Sequence, residues 1–333
     1  MKIRLFCMAL CLCVFTACEK DEPIIPDEPT VPPTEQPEQP EEPETPVEPD
    51  EPDTPAEPEE PQEPISTDGI INWNNEFIIV GDNNMATVGN GTWYSVCYGD
   101  GKYVAVGKNG NTAYSTDGIN WNSNVVRNYD FRSVCYGDGK FVAVGIHFDN
   151  SIAYSTDGIN WNRAVIAKEL TFTSVCYGDG KFVAVGNKRV FYSTDGINWS
   201  VATTSIDMSN ICYGNGKFVA FGYNRTLGYS ADGINWTTQT FTGTYNFQCI
   251  CYGDGEFVIL TYSTVNYVFK SADGINWTQH NIGELRGWSA VCYGNGKYVA
   301  PGTGEVFYSI DAINWDKVTN GEFTHLYGVC PVQ

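Results

Sequence analysis

Six copies of one eight-residue phrase run down this chain. Tyr-Ser-Thr-Asp-Gly-Ile-Asn-Trp at residues 114–121 recurs, lightly edited, ending at Trp161, Trp199, Trp236, Trp277 and Trp315. A second phrase, Val-Cys-Tyr-Gly-Asp-Gly-Lys-Phe-Val-Ala-Val-Gly, precedes each copy, and its cysteines stand at 97, 135, 176, 212, 251, 292 and 330, a repeat of 36 to 41 residues. A unit that small cannot bury both faces of its own structure, so successive copies must stack on one another.

Within a unit the pattern is all strand. Ser133-Val-Cys-Tyr136 and Lys140-Phe-Val-Ala-Val144 flank Gly137-Asp138-Gly139, and Asp-Gly between apolar runs is a strong hairpin signal. Ile152-Ala-Tyr-Ser155, a Thr156-Asp157-Gly158 turn and Ile159-Asn-Trp161 complete four short antiparallel strands with no helical period. Forty residues and four strands define a β-propeller blade, so the fold class is all-β. The end of the chain, Tyr327-Gly-Val-Cys-Pro-Val332, reads as a first strand with nothing after it, while Phe77-Ile-Ile-Val-Gly81 and residues 85–93 read as the rest of a blade. One C-terminal strand and three N-terminal strands would then form a composite closing blade, giving seven four-stranded blades. The box-like phrase Ser66-Thr-Asp-Gly-Ile-Ile-Asn-Trp73 is unplaced in this scheme and leaves six or eight open.

Ser-Thr-Asp-Gly-Ile-Asn-Trp resembles the Asp-box, or BNR repeat, of the sialidase-like propellers, with Asp and Gly adjacent where the usual box separates them by one residue. The resemblance implies a structural turn between third and fourth strands, in which Asp117, Asp157, Asp195, Asp232, Asp273 and Asp311 cap backbone amides and are not catalytic. It also raises a sialidase-like glycoside hydrolase. Sialidases also need an Arg-Ile-Pro motif, a Tyr-Glu nucleophile pair and an arginine triad; Arg-Ile-Pro is absent here and Glu169, Glu256, Glu284, Glu305 and Glu322 offer no recognisable paired acid and nucleophile, so the expectation is a protein that is not an enzyme and carries no cofactor or metal.

The first 64 residues are of another kind. Lys2 and Arg4, an apolar run over residues 5–15 and Thr16-Ala17-Cys18 have the layout of a secretory signal, too short to span a bilayer. The ending resembles the lipobox of bacterial lipoproteins, which implies a signal peptide over residues 1–17 and lipidation at Cys18. Glu19-Lys20-Asp21-Glu22 resembles the acidic export signal of the Bacteroides group, implying an outer-membrane lipoprotein facing the cell surface. From Pro37 to Pro64 a proline falls on every third residue, the polyproline II repeat, so residues 18–64 read as a proline-rich linker or stalk. Residues 19–63 hold eighteen acids against Lys20 alone, so most of the net charge of −21 belongs to the stalk and says nothing of the ligand of residues 65–333. The surface address and the acidic domain disfavour nucleic acid.

Eight cysteines remain beyond Cys18, seven at one site in successive repeats. Blade-to-blade separation exceeds the roughly 7 Å limit for a disulfide, so they read as buried thiols. The repeats diverge on the rim opposite the Gly-Asp-Gly and Asp-box turns, and rigid scaffolds carry binding groups on variable loops. All six arginines after the signal, including Arg132, fall in or beside those connections. Arg127, Arg163, Arg189, Arg225 and Arg286, with Tyr129, Phe148, Tyr223, Tyr245 and Trp288, form the candidate ligand-binding set, chemistry suited to an acidic glycan. The expected function is non-catalytic binding of a glycan or surface protein by a monomer; a protein-assembly scaffold is the other alternative.

Overall fold

The computed structural model describes residues 65–67, 70–73, 75–82, 92–126, 129–146, 151–166, 170–186, 188–202, 206–263, 265–283, 287–318 and 325–332. The signal-like segment and the stalk lie outside them. The described residues form seven four-stranded antiparallel sheets, a seven-bladed β-propeller. The inner strands, in ring order, are Trp93–Gly99, Asp130–Gly137, Ser174–Gly178, Met208–Gly214, Asn246–Gly253, Cys292–Gly294 and Leu326–Pro331. Each packs against the next, and the last packs against the first.

The third blade shows how the repeat encodes its sheet. Ser174–Gly178, Lys181–Gly186, Arg189–Ser193 and Ser200–Val201 pair in order. The first hairpin turns through Asp179 (φ 45°) and Gly180 (φ 70°), the two left-handed residues of a type I′ turn. Phe182, Val183, Ala184 and Val185 are all fully buried because the second strand is covered on both faces by neighbouring blades, which is why its apolar run does not alternate. The core is correspondingly divided into seven clusters, each between two blades. Val142, Val144 and Ile152 of the second blade, for example, pack on Phe172, Val175, Phe182 and Phe191 of the third.

A second device locks the blades. The glycine ending five of the seven inner strands faces the tyrosine of the next: a Cβ on Gly99, Gly137, Gly178, Gly214 or Gly253 would run into the side chain of Tyr136, Tyr177, Tyr213, Tyr252 or Tyr293. At the last joint Pro331 takes the tyrosine's place over Gly294.

Closure combines one C-terminal and three N-terminal strands, but not the three the sequence pointed to. Leu326–Pro331 is innermost, followed outward by Phe77–Gly81, Ile70–Trp73 and Ile65–Thr67. Residues 85–91 lie outside the described residues, and Trp93 starts the inner strand of the following blade. The unplaced phrase at 66–73 therefore supplies two strands, and the count settles at seven. Its chain order is reversed relative to the other blades, outermost strand first. Ile65 pairs with Asn72, beside the turn into Phe77, and Pro331 pairs with Phe77, so both described ends of the chain sit on the Gly-Asp-Gly rim. Glu76 stitches the seam there. Its carboxylate meets Lys297 Nζ at 2.8 Å, and its carbonyl accepts from Val332 N at 2.6 Å and Asn295 Nδ2 at 3.0 Å.

Candidate binding site at the mouth of the channel

The aspartate turns are structural. Asp195 Oδ1 accepts from the backbone N–H of Ile197 (2.8 Å) and Asn198 (2.7 Å) and from Ser193 Oγ (2.9 Å), while Oδ2 accepts from Asn198 Nδ2 (2.8 Å). Asp117, Asp157, Asp232, Asp273 and Asp311 repeat the arrangement. Both oxygens of each carboxylate are bonded within its own turn, Oδ1 by three donors and Oδ2 by one at Asp195. The donors hold all six well below the usual carboxylate range: the Asn120 side-chain amide contributes most at Asp117, whereas at Asp195 partial burial acts in the opposite sense and is outweighed by the Asn198 bonds. Free aspartates take a proton near pH 4, and these carboxylates resist it until lower pH, so their contribution to stability is complete above about pH 4 and is lost as pH falls below it. Urea melts between pH 2 and 7 check this. Asp195→Ala is expected to cost about 1 kcal/mol, the scale of a lost capping residue, at neutral pH and to flatten the acid limb.

None of the candidate arginines and aromatics among the described residues lines the cavity at the channel mouth. Arg127, Arg286 and Phe148 lie outside the described residues, as does the side chain of Tyr223. Arg163 is exposed on the short outer strand Asn162–Arg163, close enough to the Tyr129 hydroxyl to act on it electrostatically. Arg189 opens the third strand of its blade, half-buried. Arg225 folds back so that Nε donates to Phe241 O at 3.1 Å. Three of the aromatics are core residues instead of plates: Tyr129 stacks on Phe131, Tyr245 is boxed by Phe247, Tyr267 and Phe269, and Trp288 packs on Phe307 and Trp315. Large rings at loop starts bury themselves because the seams between blades need volume there.

What the blades do bring together is the residue three before each repeat cysteine. In ring order these are Tyr94, Arg132, Thr173, Ser209, Gln248, Ser289 and Tyr327, and none is buried. The strand register slips at five of them, Tyr94, Arg132, Ser209, Gln248 and Tyr327. A bulge leaves one residue out of the ladder and re-aims its side chain, here at the start of the inner strand, on the rim of the variable loops. One residue later comes a narrower ring, of which Ser95, Ser133 and Ser174 accept the backbone N–H of Val134, Val175 and Ile211 in the next blade (3.2, 3.2 and 3.4 Å).

These rings border a cavity of about 430 Å³ to which all seven blades contribute. Tyr94, Arg132, Thr173, Ser289 and Tyr327 line it together with Ser95, Ser133, Ser174 and Asn210, and among the described residues no aspartate or glutamate does. One sector is chemically distinct. Arg132 lies over the Tyr94 ring, with Cζ 4.3 Å from its centroid, and the Tyr94 and Tyr327 rings meet edge to face at 5.3 Å. Tyr327 donates to Asp82 Oδ2 at 3.2 Å, which His325 Nδ1 approaches at 3.4 Å. Arg132 Nη2 donates to Asp130 Oδ2 at 3.1 Å, while Arg132 Nε and Asp130 Oδ1 are buried with no partner among the described residues. The eight described cysteines are free, and burial pushes their thiols up, Cys330 to about 12. No cluster of three His, Cys, Asp or Glu suited to a metal occurs among the described residues.

Tyr94 and Tyr327 were not legible as site residues, and Arg132 stood out only as one arginine among six. Inside a strand motif they read as structure. The signal was available as the first of two positions of the inner-strand phrase, three and two before each cysteine, that change class from copy to copy.

No protein-family description matches the chain, and no curated protein does. Solved structures share its fold. One described as "YCF48 bound to D1 peptide" aligns with a TM-score of 0.56 and 17% identity over 69% of this chain and 82% of that one. YCF48 from Cyanidioschyzon merolae gives 0.55 and 15% over 71% and 88%. The WD40 β-propeller domain of Doa1 gives 0.54 and 15% over 71% and 85%. At such identities the likeness establishes the propeller and leaves the ligand to be argued from the site.

Proposed function

We propose that this chain is a non-catalytic binding protein, anchored by lipid at Cys18 to the outer face of an outer membrane, whose propeller holds a glycan or protein ligand at the channel mouth. The observation that carries the reading is the ring of unburied side chains, five of them bulged and their chemistry varying from blade to blade, around a cavity shared by all seven blades, in blades otherwise nearly identical. Both described chain ends lie on the opposite rim. The neighbour described as bound to a peptide uses this fold to hold a partner. Hydrolysis of a glycoside requires an acid and a second carboxylate beside the substrate, and the described residues of the cavity lining include neither, which supports the binding reading.

The test is binding of the full chain to a glycan array and to surface-protein extracts, alongside a Tyr94→Ala, Tyr327→Ala variant. Loss of about 2 kcal/mol per aromatic anchor predicts at least a tenfold weaker Kd with an unchanged thermal midpoint. Undiminished binding by the variant would move the site away from the mouth. In the same cells Cys18→Ser should release the chain from the membrane fraction; retention would remove the lipid anchor from the proposal.

A further inference from the structure

The cavity differs from one side to the other. Two residues before each repeat cysteine, every blade contributes a residue to the lining, and all seven are described. In ring order the first four are Ser95, Ser133, Ser174 and Asn210, and the remaining three are Cys249, Ala290 and Gly328. Hydroxyls and an amide therefore occupy one arc, and small side chains with neither group occupy the other, the Cys249 thiol acting as a small apolar group. The next residue of the strand repeats the division. Ile250, Val291 and Val329 of the apolar arc reach the lining, with Val96 of the adjoining blade, whereas Val134, Val175 and Ile211 stay in the seams between blades. Toward solvent the division softens, because Ser289 and Tyr327 bring hydroxyls to the sixth and seventh blades.

The polar arc is a set of donors held in place. Ser95, Ser133 and Ser174 each commit a lone pair to a backbone N–H of the next blade, and their hydroxyl protons have no acceptor among the described residues. Arg132 is already engaged by Asp130 and the Tyr94 ring. At about 430 Å³ the cavity has the size of a small-molecule site, roughly 300–1,000 Å³.

Resting on the binding reading above, we infer that the ligand is a sugar with one deoxygenated edge, a 6-deoxyhexose, its ring hydroxyls on Ser95, Ser133, Ser174 and Asn210 and its methyl against Cys249, Ala290 and Val291. A sugar hydroxyl turned to the apolar arc would leave water without gaining a partner, while a methyl needs none and gains from burial. An acetamido group there would bring an N–H and a carbonyl to the same penalty. An extended peptide carries backbone N–H and C=O groups along both edges, which a lining polar on one arc does not match.

Titration of the full chain with the methyl glycosides of L-fucose and L-galactose, and of L-rhamnose and L-mannose, separates the outcomes. Within each pair the two sugars differ by a single hydroxyl on the exocyclic carbon. The expected result is a preference of about tenfold for the deoxy member of at least one pair, the scale of one hydroxyl left without a partner. Ala290→Ser, at a half-buried position, and separately Cys249→Ser give the apolar arc the hydroxyl that the other arc has, and each should cut that preference several-fold by strengthening the hydroxylated member. Ser133→Ala should weaken both members by the same factor and leave the preference intact. Equal binding of both members of each pair, or a preference that neither serine variant changes, overturns the deoxygenated edge and leaves the binding mouth standing. Saturable binding of a peptide ligand with none of the four sugars does the same. A mouth that saturates with no glycan and no protein would end both.

Discussion

A chain ended at His325 is expected to lose its cooperative unfolding transition. The missing segment is the innermost strand of the closing blade, and it serves two of the seven core clusters. Leu326 packs with Ile71, Trp73, Phe77 and Ile79, and Cys330 with Ile78, Val80 and Val96. Without it the fully buried run Phe77, Ile78, Ile79 and Val80 loses its ladder partner and its cover toward the channel. At roughly 1.5–3 kcal/mol for each large apolar side chain returned to water, the loss reaches the whole stability of an ordinary domain, about 5–15 kcal/mol. Thermal melts followed by circular dichroism, with size exclusion, check it. A peptide of residues 325–333 supplied in trans should restore a transition, because the gap it fills is a strand-shaped one. A truncated chain that melts like the full one would show that the ring does not depend on its C-terminal clasp.

The second large effect is expected from Gly178→Val. The glycine sits where the ring of Tyr213 from the next blade presses on the backbone, so a side chain there must push the tyrosine out of its seat. Overpacking of this kind costs about 1–3 kcal/mol for small insertions, and valine adds three carbons at the tightest point of the seam. Gly180, two residues on, provides the contrast. A Cβ there meets nothing, but φ is +70°, so Gly180→Ala should cost only about 1–2 kcal/mol of backbone strain. Denaturant midpoints of the two variants check the ranking, and equal losses would mean that the interlock between blades contributes little.

Much of the fold was legible because it rests on local chemistry. Asp179-Gly180 demands a two-residue left-handed turn, Phe182 to Val185 reads as a strand, and Ser193 with Asp195 closes the turn between the third and fourth strands through bonds spanning only a few residues. The candidate site was less legible. Tyr129, Tyr245 and Trp288 fall in loop-like stretches by sequence yet fill seams between blades, since a residue's burial there depends on what the next blade presents. Arg132 and Tyr94 belong to different repeats, 38 positions apart, and become stacked neighbours only when the inner strands lie side by side.

By itself the sequence determined the repeat, the four-stranded blade, the turn that each aspartate closes and the apolar character of every second strand. The information for these lies within about forty residues and is written six times. Tertiary structure alone decided that Ile65–Thr67 and Ile70–Trp73 complete the closing blade in reverse order, and that bulges aim Tyr94, Arg132 and Tyr327 at one cavity. Near-identical repeats offer many equivalent pairings. Only the geometry of a closed ring, in which the last inner strand must meet the first, selects among them.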